Sequence, residues 1–217
     1  MKTLLLVPSQ RELFFLAGEP DAEPLNGFHV CRRPEGVWAL CGIGPAAAAL
    51  STAHLILSQQ PERVILVGIG GAFHESGLVP GDLVQAESEC FADLGYREKD
   101  RFINLDRMGL TMLPQADAQL GCRFALSILT PNEAVVSFIT VSSVTNDRKT
   151  AAALYSSFEA GVENMEGAGV AMACAHAGVT CHQVRAISNT VGPRNPAAWQ
   201  VDGPLRRLGD WLRTTLK

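Results

Sequence analysis

The chain is expected to form an α/β protein, a three-layer α/β/α sandwich around a mixed central sheet. Two observations lead there. "RVILVGIGG", 63–71, is a continuous apolar run of strand length that ends in glycines, the pattern of a strand covered on both faces. Helical stretches lie between such runs instead of being grouped, which favours a largely parallel sheet with helices on both sides. With 217 residues, 47% hydrophobic and 18% charged, the chain can bury the core of one domain spanning 1–217.

In chain order, "KTLLLV" reads as a first buried strand and "RELFFLA" as a short helix. "FHVCRR" and "VWALCGIG" read as two strands about a "PEG" turn. "GPAAAALSTAHLILSQQ" is Ala- and Leu-rich and stops at Pro61, a helix. "RVILVGIGG" and "GDLVQAESE" are the next strands. From Cys90 to Pro114 periodicity is lost and "GYREKDRFINLDR" is dense in charge, so an exposed excursion or flap is expected there. "FITVSSV" then reads as a strand, "DRKTAAALYSSF" and "EGAGVAMACAHAG" as helices, "HQVRAISN" as the last strand and "PLRRLGDWLRTTL" as a closing amphipathic helix.

Net charge is −4 and no Lys/Arg-rich block occurs, so neither nucleic acid nor an anionic membrane is an expected partner. The opening apolar run ends at Val7, too short for a signal core or a span, and a cytoplasmic protein is expected. Six scattered cysteines form no CxxC pair, and His176 and His182 add no zinc-like spacing. Reduced thiols are therefore expected, with no metal and no cofactor.

In sheets of this kind ligands sit beyond the carboxyl ends of the strands. That rule selects Glu12 in "PSQRE", Gly70 and Gly71 in "GIGGAF", the segment "SSVTND" and Asn189 in "SNTVGPRNPAAW". Each has a plainer reading: a solvated first-turn carboxylate, a tight turn, a loop, a strand-end cap. The glycines match neither G-x-G-x-x-G nor a Walker loop, and no G-x-S-x-G elbow accompanies Ser142 or Ser143. Glu166 opens a helix that is apolar nearly all round, where the N-terminal dipole favours a carboxylate by about 0.3–1 kcal/mol. Arg185 on the next strand is its natural partner.

The segments "MKTLLLVPSQRE", "CGIGPAAAAL", "VGIGGAFHESGLVPGDLV", "VENMEGAGVAMAC" and "VRAISN" together resemble the purine nucleoside phosphorylase/nucleosidase superfamily, in its methylthioadenosine/S-adenosylhomocysteine nucleosidase branch. Within it, "ENMEGAG" with "ISNTVGPRNPAAW" is most similar to the futalosine-cleaving enzymes of menaquinone biosynthesis. The resemblance implies hydrolysis of an N-glycosidic bond of a purine nucleoside, with release of hypoxanthine. It implies Glu12 as the base that activates water and Glu166 as the carboxylate that grips the ribose hydroxyls. Arg185 would orient Glu166, Met165 would pack on the sugar, Gly70 and Gly71 would line base and ribose, and Trp199 would stack near the purine. It also implies a homodimer or higher homo-oligomer, for which 90–114 is the candidate contact.

One departure carries chemical meaning. Adenine-specific members have an acid where this chain has Asn189. An amide can donate to N7 or O6 of a 6-oxopurine but cannot give up a proton near neutrality. Asn189 thus favours an inosine-type substrate. Arg194 or Arg148 is expected to meet the substrate's carboxylate. The competing expectations are an adenine-releasing nucleosidase, a phosphorylase, and a nucleoside-binding module without catalysis. "PSQRE" lacks the glycine-rich phosphate loop of a phosphorylase. Binding alone needs no water-activating Glu12.

Overall fold

A computed structural model describes residues 2–18, 23–25, 28–98, 101–113, 120–193 and 199–216. Its strands are β1 (Thr3–Val7), β2 (Glu23–Leu25), β3 (Phe28–Arg33), β4 (Gly36–Leu40), β5 (Arg63–Ala72), β6 (Leu83–Phe91), β7 (Gly95–Glu98), β8 (Arg101–Asn104), β9 (Arg123–Ala125), β10 (Ala134–Thr140), β11 (Val162–Asn164) and β12 (Thr180–Thr190). The helices are α1 (Gln10–Ala17), α2 (Pro45–Gln59), α3 (Arg148–Phe158), α4 (Gly167–Ala177) and α5 (Asp202–Thr215).

The main sheet runs β11-β10-β6-β12-β5-β1-β4-β3-β2, with β9 added beside β6. β1 is parallel to β4 and β5, β5 to β12, and β6 to β10. β12 and β6 run antiparallel, so the sheet is mixed. Alternation along β1 sets the layers. Leu4 and Leu6 face the side packed by Ala48, Leu55 and Ile56 of α2 and by Val170 and Cys174 of α4. Leu5 and Val7 face Leu13 and Leu16 of α1 and Leu205, Leu208 and Leu212 of α5. Each such leucine, fully buried, is worth about 1.5–3 kcal/mol.

β11 pairs with β10 and also, antiparallel, with β5 through Val162↔Ala72 and Glu163↔Gly71. β5, β12, β6, β10 and β11 thereby close into a ring. Each contributes to one apolar cluster of Ala72, Val84, Ala86, Phe138, Val162 and Ile187. On one outer face α4 packs so closely on α2 that a Cβ at Gly169 would strike Pro45 O. That contact brings the start of α2 to the start of α4.

The excursion is exposed along β7, as expected, but it carries regular structure, which was not. Cys90 and Phe91 complete β6, and β7 and β8 form an ordered hairpin whose Phe102 is buried against Phe158 of α3, ring centroids 5.8 Å apart. The apolar half of that hairpin was hidden by its charged neighbours. β10 begins at Ala134 and stops at Thr140, earlier than "FITVSSV" suggests, so the following serines form a loop. β2, β9 and β11 have three residues each, too few to show a period. Among the described residues no helix is long and apolar enough to cross a membrane.

Candidate active site

A cavity of about 380 Å³ opens beyond the carboxyl ends of β1, β5 and β12, beside β11. Glu12, Gly70, Gly71, Met165, Glu166, Arg185, Asn189 and Trp199 all line it. Ile43 and Val144 add apolar wall.

Glu12 arrives on the first turn of α1. Ser9 caps that helix, its Oγ accepting the Glu12 amide at 3.3 Å and donating to Glu12 Oε2 at 2.5 Å. The S-x-x-E spacing is that of a capping box, a signal present in "PSQRE". Glu12 Oε1 accepts from the Ile69 amide of β5 at 3.1 Å. The residue is 6% exposed and lines the cavity. Gly68 makes this approach possible: a Cβ there would lie 2.7 Å from Glu12 Oε1 and 2.8 Å from Arg185 Nη1.

Glu166 is the N-cap residue of α4, but its side chain makes no cap bond. Oε2 meets Arg185 Nη2 at 3.1 Å, and Oε1 accepts from the Gly44 amide at 3.3 Å. Gly44 sits at φ 90°, a left-handed conformation that turns its N–H to Glu166 as α2 begins. Capping of α4 falls to Asn164, whose Oδ1 accepts from the amides of Glu166 at 3.0 Å and Gly167 at 2.7 Å. The same oxygen accepts Arg185 Nη2 at 3.1 Å, while Arg185 Nη1 donates to Ile69 O at 3.1 Å. Burial raises the Glu166 carboxyl above its ordinary value, although Arg185 and the Gly44 amide pull it back.

At the end of β12, Asn189 Oδ1 accepts from Ser188 Oγ at 2.7 Å and Nδ2 donates to Thr190 O at 3.0 Å. Gly71 leaves room for this amide: a Cβ would stand 3.3 Å from Asn189 Nδ2. Gly70 O lies 3.1 Å from the same Ser188 Oγ and shares its single proton with Asn189 Oδ1, which ties the two strand ends together.

Glu163 lines the same cavity without meeting Arg185. Its carboxylate accepts from the Thr145 amide at 3.0 Å and from Thr145 Oγ, pinning the loop that carries Val144. Burial raises this carboxyl too. Arg148 does not reach the cavity; it borders a separate groove with His74, Glu75, Thr190 and Val191. Arg148 opens α3, eight residues after the end of β10 at Thr140. Arg194 lies outside the described residues. Asn164, Ser9 and Ser188 were not singled out in the sequence; for Asn164 the only signal is its place inside "ENMEG".

All six cysteines are buried free thiols, and among the described residues no three His, Cys, Asp or Glu are grouped to hold a metal ion. The arrangement can therefore offer a buried carboxylate, a carboxylate–guanidinium pair and an amide to one small polar molecule.

The family model described as the phosphorylase superfamily matches residues 31–208. The chain is similar to futalosine hydrolase from Streptomyces coelicolor, 38% identical over 85% of this chain and 80% of the relative. It is also similar to futalosine hydrolase from Thermus thermophilus, 33% identical over 98% and 94%. Among solved structures, futalosine hydrolase of Helicobacter pylori superimposes with a TM-score of 0.82 at 19% identity, covering 100% of this chain and 97% of the other. A methylthioadenosine/S-adenosylhomocysteine nucleosidase from the same organism gives 0.80 at 19% identity over 100% and 98%. At those identities the two structures share the fold.

Proposed function

Because the chain belongs to the phosphorylase superfamily and, within it, to the futalosine hydrolases, we propose that it hydrolyses the N-glycosidic bond of futalosine, releasing hypoxanthine and dehypoxanthine futalosine. The observation that carries this reading is the buried Glu12 carboxylate, held by Ser9 and the Ile69 amide at the wall of the cavity that Glu166 and Asn189 also line.

Glycosidic cleavage passes through an oxocarbenium-like state. Glu12 takes a proton from water as the water oxygen bonds to C1′, and the bond from C1′ to the purine nitrogen breaks with its electron pair leaving on the base. The departing anion is protonated from solvent as Glu12 gives its proton back. Glu166, oriented by Arg185, accepts from the ribose hydroxyls, which strengthens as the ring gains positive charge. Met165 packs on the sugar, Gly70 and Gly71 line its edge, and Trp199 stacks near the base. Asn189 releases Thr190 O and turns Nδ2 to N7 or O6 of hypoxanthine, where the departing charge gathers.

On this reading the protein works in menaquinone biosynthesis, in the cytoplasm, as a single catalytic domain. It assembles as a homodimer or higher homo-oligomer, with the hairpin region as a contact; Tyr96, Met108 and Leu110 are 48, 42 and 51% exposed there. Incubation with futalosine, inosine and methylthioadenosine, each with and without phosphate, tests the proposal. Hypoxanthine released from futalosine without phosphate is expected. Adenine from methylthioadenosine with no hypoxanthine from futalosine, or a strict need for phosphate, overturns it.

A further inference from the structure

Behind the cavity lies a polar cluster that the mechanism above does not use. Glu89, on β6, is completely buried. Its Oε1 accepts from the Cys90 amide at 3.2 Å and from Thr140 Oγ at 3.0 Å. Its Oε2 accepts from Asn164 Nδ2 at 2.8 Å. Asn164 in turn holds Arg185 and the Glu166 amide with its oxygen. Gln183 of β12 completes the cluster, and both ends of its buried amide lack a partner. Glu89 Oε2 and Gln183 Oε1 converge over Gly167, where a Cβ would collide with the first and lie 2.6 Å from the second.

We propose that Glu89 is a positioning residue for the ribose-holding pair Glu166–Arg185: a buried carboxylic acid whose proton, given from Oε2 to Gln183 Oε1, fixes Asn164. The proposal rests on the nucleosidase reading for what the pair holds.

Two arguments support it. Glu89 accepts two bonds at Oε1 and one at Oε2, and Gln183 as placed turns its Oε1 to the same side. A protonated carboxyl satisfies all four demands. An amide does not, because one of its ends carries only donors. The second argument is charge. Arg185 is the one buried guanidinium or ammonium among the described residues, and the buried carboxylates Glu12, Glu163 and Glu166 share its region. A further anion would be uncompensated. Among the described residues no other charge faces Glu89: β10 offers Thr140, β11 Asn164, β12 Gln183 and α4 Gly167, while Arg123 of β9 turns to Ser88 and Phe158 O. Burial raises the Glu89 carboxyl to about 7, with Asn164, Thr140 and then Arg185 opposing. Above that pH the lost proton leaves two acceptors opposed, and the ribose pair loses its anchor.

Infrared titration of the free enzyme tests this without substrate. A protonated-carboxyl stretch present at pH 5.5, lost near pH 7 and absent from Glu89→Gln is expected. In Gln183→Met the midpoint moves to lower pH, because the acceptor favouring the acid is gone. KM for futalosine rises about tenfold across the same range in the wild type, and is high and flat in Glu89→Gln, with kcat changed less. Absence of the band at pH 5.5 overturns the proposal. So does an upward midpoint in Gln183→Met, which means that Gln183 was donating to an anion. A KM independent of pH in the wild type removes the positioning role. Should Glu89→Gln fail to fold, the wild type and Gln183→Met still decide. If futalosine is not cleaved but the band titrates as stated, the functional reading fails and the protonated Glu89 stands.

Discussion

Arg185 Nη2 lies 3.1 Å from Glu166 Oε2, with side-chain exposures of 1% and 5%, so the pair exchanges water for one another. Breaking such a pair leaves a buried charge alone, which costs about 3–5 kcal/mol. Arg185→Ala should lose stability of that order in urea denaturation. Arg185→Lys keeps the charge but not the two-armed reach to Ile69 O and Asn164, and should raise KM at least about tenfold through lost orientation.

Glu12→Gln keeps size and can still accept from the Ile69 amide, but cannot take a proton from water. A fall in kcat of about 10²–10⁴ is expected, with binding of a non-hydrolysed substrate analogue retained by calorimetry. A wild-type kcat would remove Glu12 as the base.

Gly68→Ala places a methyl 2.7 Å from Glu12 Oε1 and 2.8 Å from Arg185 Nη1, and 3.2 Å from Pro8 Cδ. Both charged ends must move. We expect kcat/KM to fall by about 10²-fold or more, since small displacements of catalytic groups are that costly, while circular dichroism shows a folded protein.

Asn189→Asp should shift the base released. Its oxygen would face Thr190 O, where Nδ2 now donates, and the repulsion favours the protonated acid. That acid can donate to purine N7, so chromatography should show the adenine-to-hypoxanthine release ratio rising about tenfold, more so at lower pH.

Stability should fall as pH rises above the ordinary carboxylate range. Glu89, Glu163 and Glu166 all have carboxyls raised by burial, so between the unfolded value and the raised one the native state holds protons that the unfolded chain has lost. For Glu89, from 4.5 to about 7, the loss is on the order of 3 kcal/mol. His182, lowered by burial, acts oppositely and adds stability as pH rises toward 6.5. Chemical denaturation at pH 5 and 7 should show a smaller difference in Glu89→Gln than in the wild type.

Periodicity in the sequence was enough to determine the layers. Leu4 and Leu6 against Leu5 and Val7, and the stripe of Leu205, Leu208 and Leu212, follow from local spacing alone. The strand-end rule likewise pointed to Glu12, Gly70, Gly71 and Asn189, and the family resemblance to Met165 and Trp199, all of which line one cavity with Glu166 and Arg185. Tertiary structure alone decided the rest. β11 has three residues and closes the ring only by pairing with strands far away in the chain. Glu89 and Asn164 meet across 75 positions of sequence, and Arg148 borders a groove separate from the cavity. Local pattern records which face a residue prefers; it does not record which distant polar groups must share a proton once water is excluded.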